Sequence, residues 1–173
     1  AYGLADLERG VPIGTDTAFR LASVSKQFTA MAIMMLAEEG RFSYDDPVTR
    51  FLPELSRFGD ALTIRHLLTH SGGLPDYYDV MVEISGVERP RTRDALAVLS
   101  VWGEPLFPPG ERYEYSNPGY ELLALIVEEA SGRTYAEFVE TRIFAPLGMT
   151  GSAVFDERAP RIAKRATGYR RDA

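Results

Sequence analysis

Ser23 and Lys26 stand three residues apart in FRLASVSKQFTAMAIMMLAEEG, residues 19–40. On a helix, side chains at i and i+3 share a face and can meet. A serine hydroxyl is a poor nucleophile unless a base takes its proton. A lysine with its ordinary pKa of about 10.4 is charged at pH 7, and burial or the positive end of a helix is what disfavours that charge. A helix start also offers backbone N–H groups to a developing oxyanion. Ser23 and Lys26 therefore fit an acyl-transfer site, with Ser23 as nucleophile and Lys26 as its base. Taken alone, S-x-x-K reads as readily as an N-cap serine followed by a solvated lysine. Ser25, inside the same motif, points away by helical spacing.

Tyr115 and Asn117 form a second candidate pair. A phenol with its ordinary pKa near 10 transfers protons usefully only when buried or beside a cation, and Lys26 would be that cation. Tyr113 competes for the role but lacks the Y-x-N context. Asn117 suits a hydrogen-bonding role toward Lys26 or a substrate amide, and equally suits a helix cap. His66 and His70 invite a Ser-His-Asp reading, but no G-x-S-x-G elbow accompanies them. Their i, i+4 spacing lacks the H-E-x-x-H of a metal site. They are read as core or capping histidines.

Elements must position these groups. From Phe28 to Ala37 the chain is apolar nearly all round, broken only by Thr29, so this helix is expected to be buried. Gly40 is placed to end it. Counted from Ser23 it would run about 27 Å at ~1.5 Å per residue. Upstream, residues 1–8 read as a strand, Arg9-Gly10 as a turn, and Val11 to Ile13 as pairing back. Thr17 to Leu21 reads as a short strand or an extended lead into the helix. Downstream, VTRFLPEL suggests one helical turn stopped by Pro53. Thr63 is placed to cap a short helix from Ile64 to Thr69, and Ser71-Gly72-Gly73 forms a tight loop after it. Residues 74–91 read as loop with Tyr77 and Tyr78. Thr92 is placed to cap a helix to about Val101. Asn117 caps, and Pro118 opens, a helix to about Ser131, with Gly132 behind it. Thr134 caps the next, from Tyr135 to Phe144. The rest reads as loop, with an extended piece near Ser152 to Phe155.

The chain has 173 residues, enough for one domain with a core. Its 45% hydrophobic and 25% charged content is ordinary for a globular protein. A net charge of −6 gives no support for nucleic-acid binding. With no cysteine, disulfides, thiol nucleophiles and cysteine metal sites are ruled out. No apolar run approaches the ~20 residues of a membrane span.

FRLASVSKQFTA resembles the first motif of the serine β-lactamase and penicillin-binding-protein superfamily, in which S-x-x-K is a signature. It looks most like the branch of class C β-lactamases, D-alanyl-D-alanine peptidases and β-lactamase-like esterases. LTIRHLLTHSGGLPD (62–76), YSNPGYELLALIVEEASG (115–132) and FAPLGMTGS (144–152) resemble later segments of that branch, in family order. The third motif, a K-T-G or H-x-G element, does not occur before the chain stops at ATGYRRDA. The resemblance thus implies the front portion of a longer protein, with the C-terminal part of the family domain absent.

It implies an α+β, β-lactamase/transpeptidase-like fold, as a single partial domain over 1–173. Residues 1–22 would supply sheet-edge strands and 23–173 mainly the helical lobe. Ser23, Lys26 and Tyr115 would be catalytic and Asn117 substrate-binding, acting on β-lactams, D-alanyl peptides or small esters through an acyl-enzyme. No cofactor or metal is implied. The partner is a small-molecule or peptide substrate, and oligomeric state is left open. Family analogy points to the periplasm or secretion, with a cytoplasmic location also open. Two alternatives stand beside this reading: a non-catalytic ligand-binding member, or a fragment too incomplete to act.

Overall fold

The structure, a computed structural model, describes residues 1–76, 92–102, 104–155 and 162–169. The expected tyrosine-bearing loop, with Tyr77 and Tyr78, lies outside them from residue 77 on, as does the side chain of the expected cap Thr92.

Strands β1 (Leu4–Asp6) and β2 (Val11–Pro12) pair antiparallel, with Leu4 opposite Pro12 and Asp6 opposite Val11. The expected hairpin is present but shorter than residues 1–8 suggested. Thr17 to Leu21 is an extended lead rather than a strand. It makes a single parallel bridge, Ala18 to Arg165, with Ala18 N–H on the Lys164 carbonyl and Ala166 N–H on that of Ala18. The same C-terminal stretch reaches β1: Thr167 N–H donates to the Ala5 carbonyl at 2.8 Å and Leu7 N–H to the Tyr169 hydroxyl at 2.9 Å. Ser152 to Phe155 forms no strand.

A 3-10 turn, Ala22–Ser25, leads into helix α1 (Lys26–Glu38). The expected helix from Ser23 is therefore a 3-10 turn followed by an α-helix. Gly40, at φ 72°, ends it in the left-handed region that favours glycine. Two further 3-10 segments, Val48–Arg50 and Pro53–Phe58, follow. Pro53 does end the first turn, but it also starts the second, where the first position tolerates a missing N–H. Helix α2 (Ile64–Leu68) has the expected Thr63 cap, completed by His66, whose Nδ1 accepts the Thr63 N–H at 3.2 Å. Helices α3 (Thr92–Trp102), α4 (Asn117–Ser131) and α5 (Tyr135–Val139) complete the lobe. A π-turn, Glu140–Phe144, continues α5. Thr134 and Glu137 form a reciprocal capping box at its start.

Helix α4 is the hub. It buries Leu122, Leu123, Leu125, Ile126 and Val127, and packs against α1, α2, α3 and α5. Ala32, Ile33 and Leu36 of α1, Ile64 and Leu67 of α2, Leu99 of α3 and Phe138 of α5 share that core. A helix surrounded on four sides needs apolar residues on more than one stripe. The apolar run of α1 promised the same, but α1 is buried on one side only. Met31 and Met34 are each 46% exposed, and Val24 in the preceding turn 59%. Thr29, the one polar break in that run, is buried and bonds the Tyr135 hydroxyl at 2.7 Å, which satisfies its oxygen.

Candidate active site

Ser23 sits in the exposed 3-10 turn before α1, one residue after Ala22, whose φ of 47° is in the left-handed region. That conformation costs an alanine roughly 1–2 kcal/mol. One turn on, Lys26 is the first residue of α1 and partly buried. Its Nζ donates to Ser23 Oγ at 3.3 Å and to Asn117 Oδ1 at 2.9 Å. Tyr115 comes from the extended stretch before α4, and its hydroxyl lies 2.7 Å from Ser23 Oγ. Residues distant in the chain thus meet around one hydroxyl. Ser25 contributes none of these bonds.

Asn117 does not cap α4. Ser116 does: its Oγ accepts the Gly119 N–H at 3.2 Å, while Asn117 already has helical geometry and Pro118 follows it in the first turn. The shift by one residue has a chemical consequence. A capping asparagine would spend its oxygen on a backbone N–H, whereas here that oxygen faces Lys26. The S-N-P run holds two good capping residues in a row, so composition alone does not choose between them.

The electrostatics of the cluster act on Tyr115. Its hydrogen bonds with Lys26 and then Ser23 hold the phenol below the ordinary tyrosine value, against a smaller opposing effect of burial. Lys26 Nζ also stands 4.9 Å from the Tyr115 ring centroid and 5.5 Å from that of Tyr120, close enough for cation–π attraction. Neither histidine touches Ser23 Oγ. His66 completes the α2 cap, as a capping histidine, and His70 packs behind Tyr115, its ring centroid 4.6 Å away. Among the described residues no cluster of histidine and carboxylate groups could hold a metal ion.

Sequence reasoning passed over Glu121, one helical turn beyond Asn117 on α4. Burial, with the Asp76 carboxylate adding to it and Lys26 opposing, pushes its carboxyl up to about 7. The native state therefore holds a proton there that the unfolded chain has already released. The resulting stability is complete below the ordinary carboxyl value and is lost as pH rises through about 7. Glu121→Gln, which cannot ionise, is expected to be the more stable form at pH 8 by on the order of 2–3 kcal/mol, and to lose that advantage by pH 4.5. Denaturant midpoints of both proteins at the two pH values check this. Parallel pH dependence in the two would contradict it.

The chain is similar to known proteins over almost its whole length. The chain is 41% identical to penicillin-binding protein 4* of Bacillus subtilis over 173 residues, covering 98% of this chain and 38% of that protein. It is 36% identical to the esterase EstB of Burkholderia gladioli, covering 94% of this chain and 45% of that one. Among solved structures, a penicillin-binding protein from Bacillus halodurans superposes with a TM-score of 0.84 at 38% identity, over 96% of this chain and 51% of that one. The chain thus spans between about two fifths and half of the length of these relatives. Its fold is the β-lactamase/transpeptidase-like α+β architecture, seen here as a helical lobe with a small antiparallel sheet. The family model described as Beta-lactamase matches residues 1–173 from end to end, and the chain belongs to the β-lactamase family.

Proposed function

We propose that this chain carries the nucleophile of a serine hydrolase that works through a covalent acyl-enzyme. The observation that carries the reading is the shared contact at Ser23 Oγ, 2.7 Å from the Tyr115 hydroxyl and 3.3 Å from Lys26 Nζ. Ser23 Oγ attacks the substrate carbonyl carbon, and its proton passes to the Lys26–Tyr115 pair. The carbonyl oxygen becomes an oxyanion, toward which the Ser23 backbone N–H is one donor. When the tetrahedral centre collapses, Tyr115 returns a proton to the departing amine or alcohol, leaving an ester on Ser23. Water then attacks that ester, giving up a proton to the same pair, and frees the acid and the serine. Asn117 holds Lys26 in register for both halves.

The substrate class supported by the relatives' names and the motifs is a carbonyl acyl donor: a β-lactam, a D-alanyl peptide or a small ester. Residues 1–173 alone are expected to acylate slowly and turn over weakly, since the resemblance assigns the second oxyanion donor to a third motif that this sequence lacks. Intact mass after incubation with a penicillin, and separately with an activated ester, tests the reading on the chain and on the complete gene product. A stoichiometric acyl adduct that peptide mapping assigns to Ser23 is the expected result, and the longer-lived adduct identifies the substrate class. An adduct on another residue would place the nucleophile elsewhere, and none on the complete gene product would remove the proposal in favour of a non-catalytic ligand-binding member.

A further inference from the structure

His70 takes no part in the bonds around Ser23, yet it grips the chain on both sides of Tyr115. Its carbonyl oxygen accepts the Glu114 N–H at 2.8 Å. Its ring Nδ1 accepts the Ser116 N–H at 3.1 Å. Its imidazole lies 4.6 Å from the Tyr115 ring and 5.0 Å from the Tyr120 ring, tilted 32° and 31° to them, with Tyr113 edge-on at 5.9 Å. The backbone of His70 has φ 55°, a left-handed conformation that a side-chain-bearing residue keeps only where its surroundings enforce it. Those surroundings are tied in place. Ser71 N–H reaches the His66 carbonyl, Gly110 N–H reaches that of Ser71, and the Tyr120 hydroxyl donates to that of Leu68. Gly73, at φ 66°, completes the loop where an added Cβ would lie 2.2 Å from the Phe107 carbonyl oxygen.

We propose that His70 is the positioning residue for Tyr115: as a neutral imidazole with its proton on Nε2, it fixes the backbone before and after Tyr115, and so seats the phenol on Ser23. The inference rests on the acyl-transfer reading for its catalytic consequence, but its geometry stands without it. A backbone N–H can only donate, so Nδ1 must be the unprotonated ring nitrogen. Burial, and after it the charge of Lys26, hold His70 below the ordinary histidine range, which keeps that nitrogen an acceptor. The titratable groups that touch it are Tyr113, Tyr115 and Tyr120, whose rings face the imidazole, and Glu114, whose backbone N–H meets the His70 carbonyl, while Lys26 acts on it through its charge; His66 and Arg65 on α2 and Glu121 on α4 stand on the neighbouring segments. As pH falls through the depressed pKa of His70, a proton arrives on Nδ1 against the Ser116 N–H. The clamp opens, and a second cation stands near Lys26. The positioning is complete above the ordinary histidine value of about 6.5 and is lost only as pH falls through the lower, depressed pKa of His70.

The test begins with nitrogen-15 NMR of the His70 imidazole in the chain itself. Expected are an Nε2–H tautomer and a titration below the ordinary value of about 6.5. Two variants follow. His70→Asn places an amide oxygen where Nδ1 stood and tolerates left-handed backbone, so it keeps the clamp without titrating. His70→Phe keeps a stacking ring and removes the acceptor. The Tyr115 phenol, followed by carbon-13 NMR of its ring, is expected to stay below the ordinary tyrosine value in the wild type and His70→Asn, and to return toward it in His70→Phe. The rate of Ser23 acylation is expected to fall about 10- to 100-fold in His70→Phe and to stay within about threefold in His70→Asn, as a displacement of one reacting group predicts. The acid limb of the rate profile should move to lower pH in His70→Asn.

An Nδ1–H tautomer in the wild type overturns the proposal whether or not His70→Phe folds. So does a Tyr115 titration in His70→Phe identical to that of the wild type. Loss of the low Tyr115 pKa in His70→Asn would overturn it too. If the tautomer and the phenol behave as expected while no adduct ever forms on Ser23, the acyl-transfer reading fails and the placement of Tyr115 by His70 stands.

Discussion

Ser23→Ala is expected to abolish the acyl adduct completely, with both penicillin and ester, while leaving the fold unchanged. Ser23 is exposed and lies in a turn whose four residues are all exposed, so removing its oxygen disturbs no packing. Substitutions of that kind usually change stability by less than about 0.5 kcal/mol. The loss of reaction is total because the neighbouring serine, Ser25, shares none of the bonds that join Ser23, Lys26, Tyr115 and Asn117. A second, independent signature accompanies it. The Ser23 hydroxyl is one of the two hydrogen-bond partners that hold the Tyr115 phenol below its ordinary value, the weaker one after Lys26. In Ser23→Ala the phenol should therefore titrate higher than in the wild type, but still below an exposed tyrosine. Intact mass reads the first effect and carbon-13 NMR the second. A variant that still acquires one acyl group would show that the nucleophile lies elsewhere.

Tyr115→Phe is expected to slow acylation of Ser23 by roughly 10²–10⁴-fold, the range that a positioned proton-transfer group contributes. The ring stays, so its stacking on His70 and the cation–π contact with Lys26 survive. Only the hydroxyl 2.7 Å from Ser23 Oγ is lost. Lys26 remains at 3.3 Å, which makes the variant a direct comparison of the two groups. A loss at the top of the range assigns the proton chiefly to the phenol. A rate near that of the wild type would assign it to Lys26 alone and remove Tyr115 from the acylation step. Stopped-flow measurement of adduct formation at saturating ester keeps binding out of the comparison.

Much of the site is legible in the amino-acid sequence. Ser23 and Lys26 are joined by a spacing that any helical turn converts into contact, and the 3-10 turn observed here keeps them together. The Thr63 and Thr134 caps, the Gly40 and Gly132 stops and the antiparallel hairpin are local events, set by side-chain oxygens, left-handed glycines and a short turn. Such features depend on a few neighbouring residues and survive almost any tertiary context.

The order of residues alone thus dictates which groups could do chemistry and which local turns present them. Who stands beside whom is settled only when distant segments pack. Asn117 turned from cap to Lys26 partner because Ser116 took the cap, a choice between adjacent residues that local propensity leaves nearly even. The apolar run of α1 promised burial, yet its Met31 and Met34 face remains open while α4 became the hub. Apolar composition states how much surface wants cover, not which element provides it. His70 and Glu121 acquired their character from burial first, with the charge of Lys26 adding to it at His70 and the Asp76 carboxylate adding to it at Glu121. Charge and desolvation act through space, over distances that no sequence spacing records.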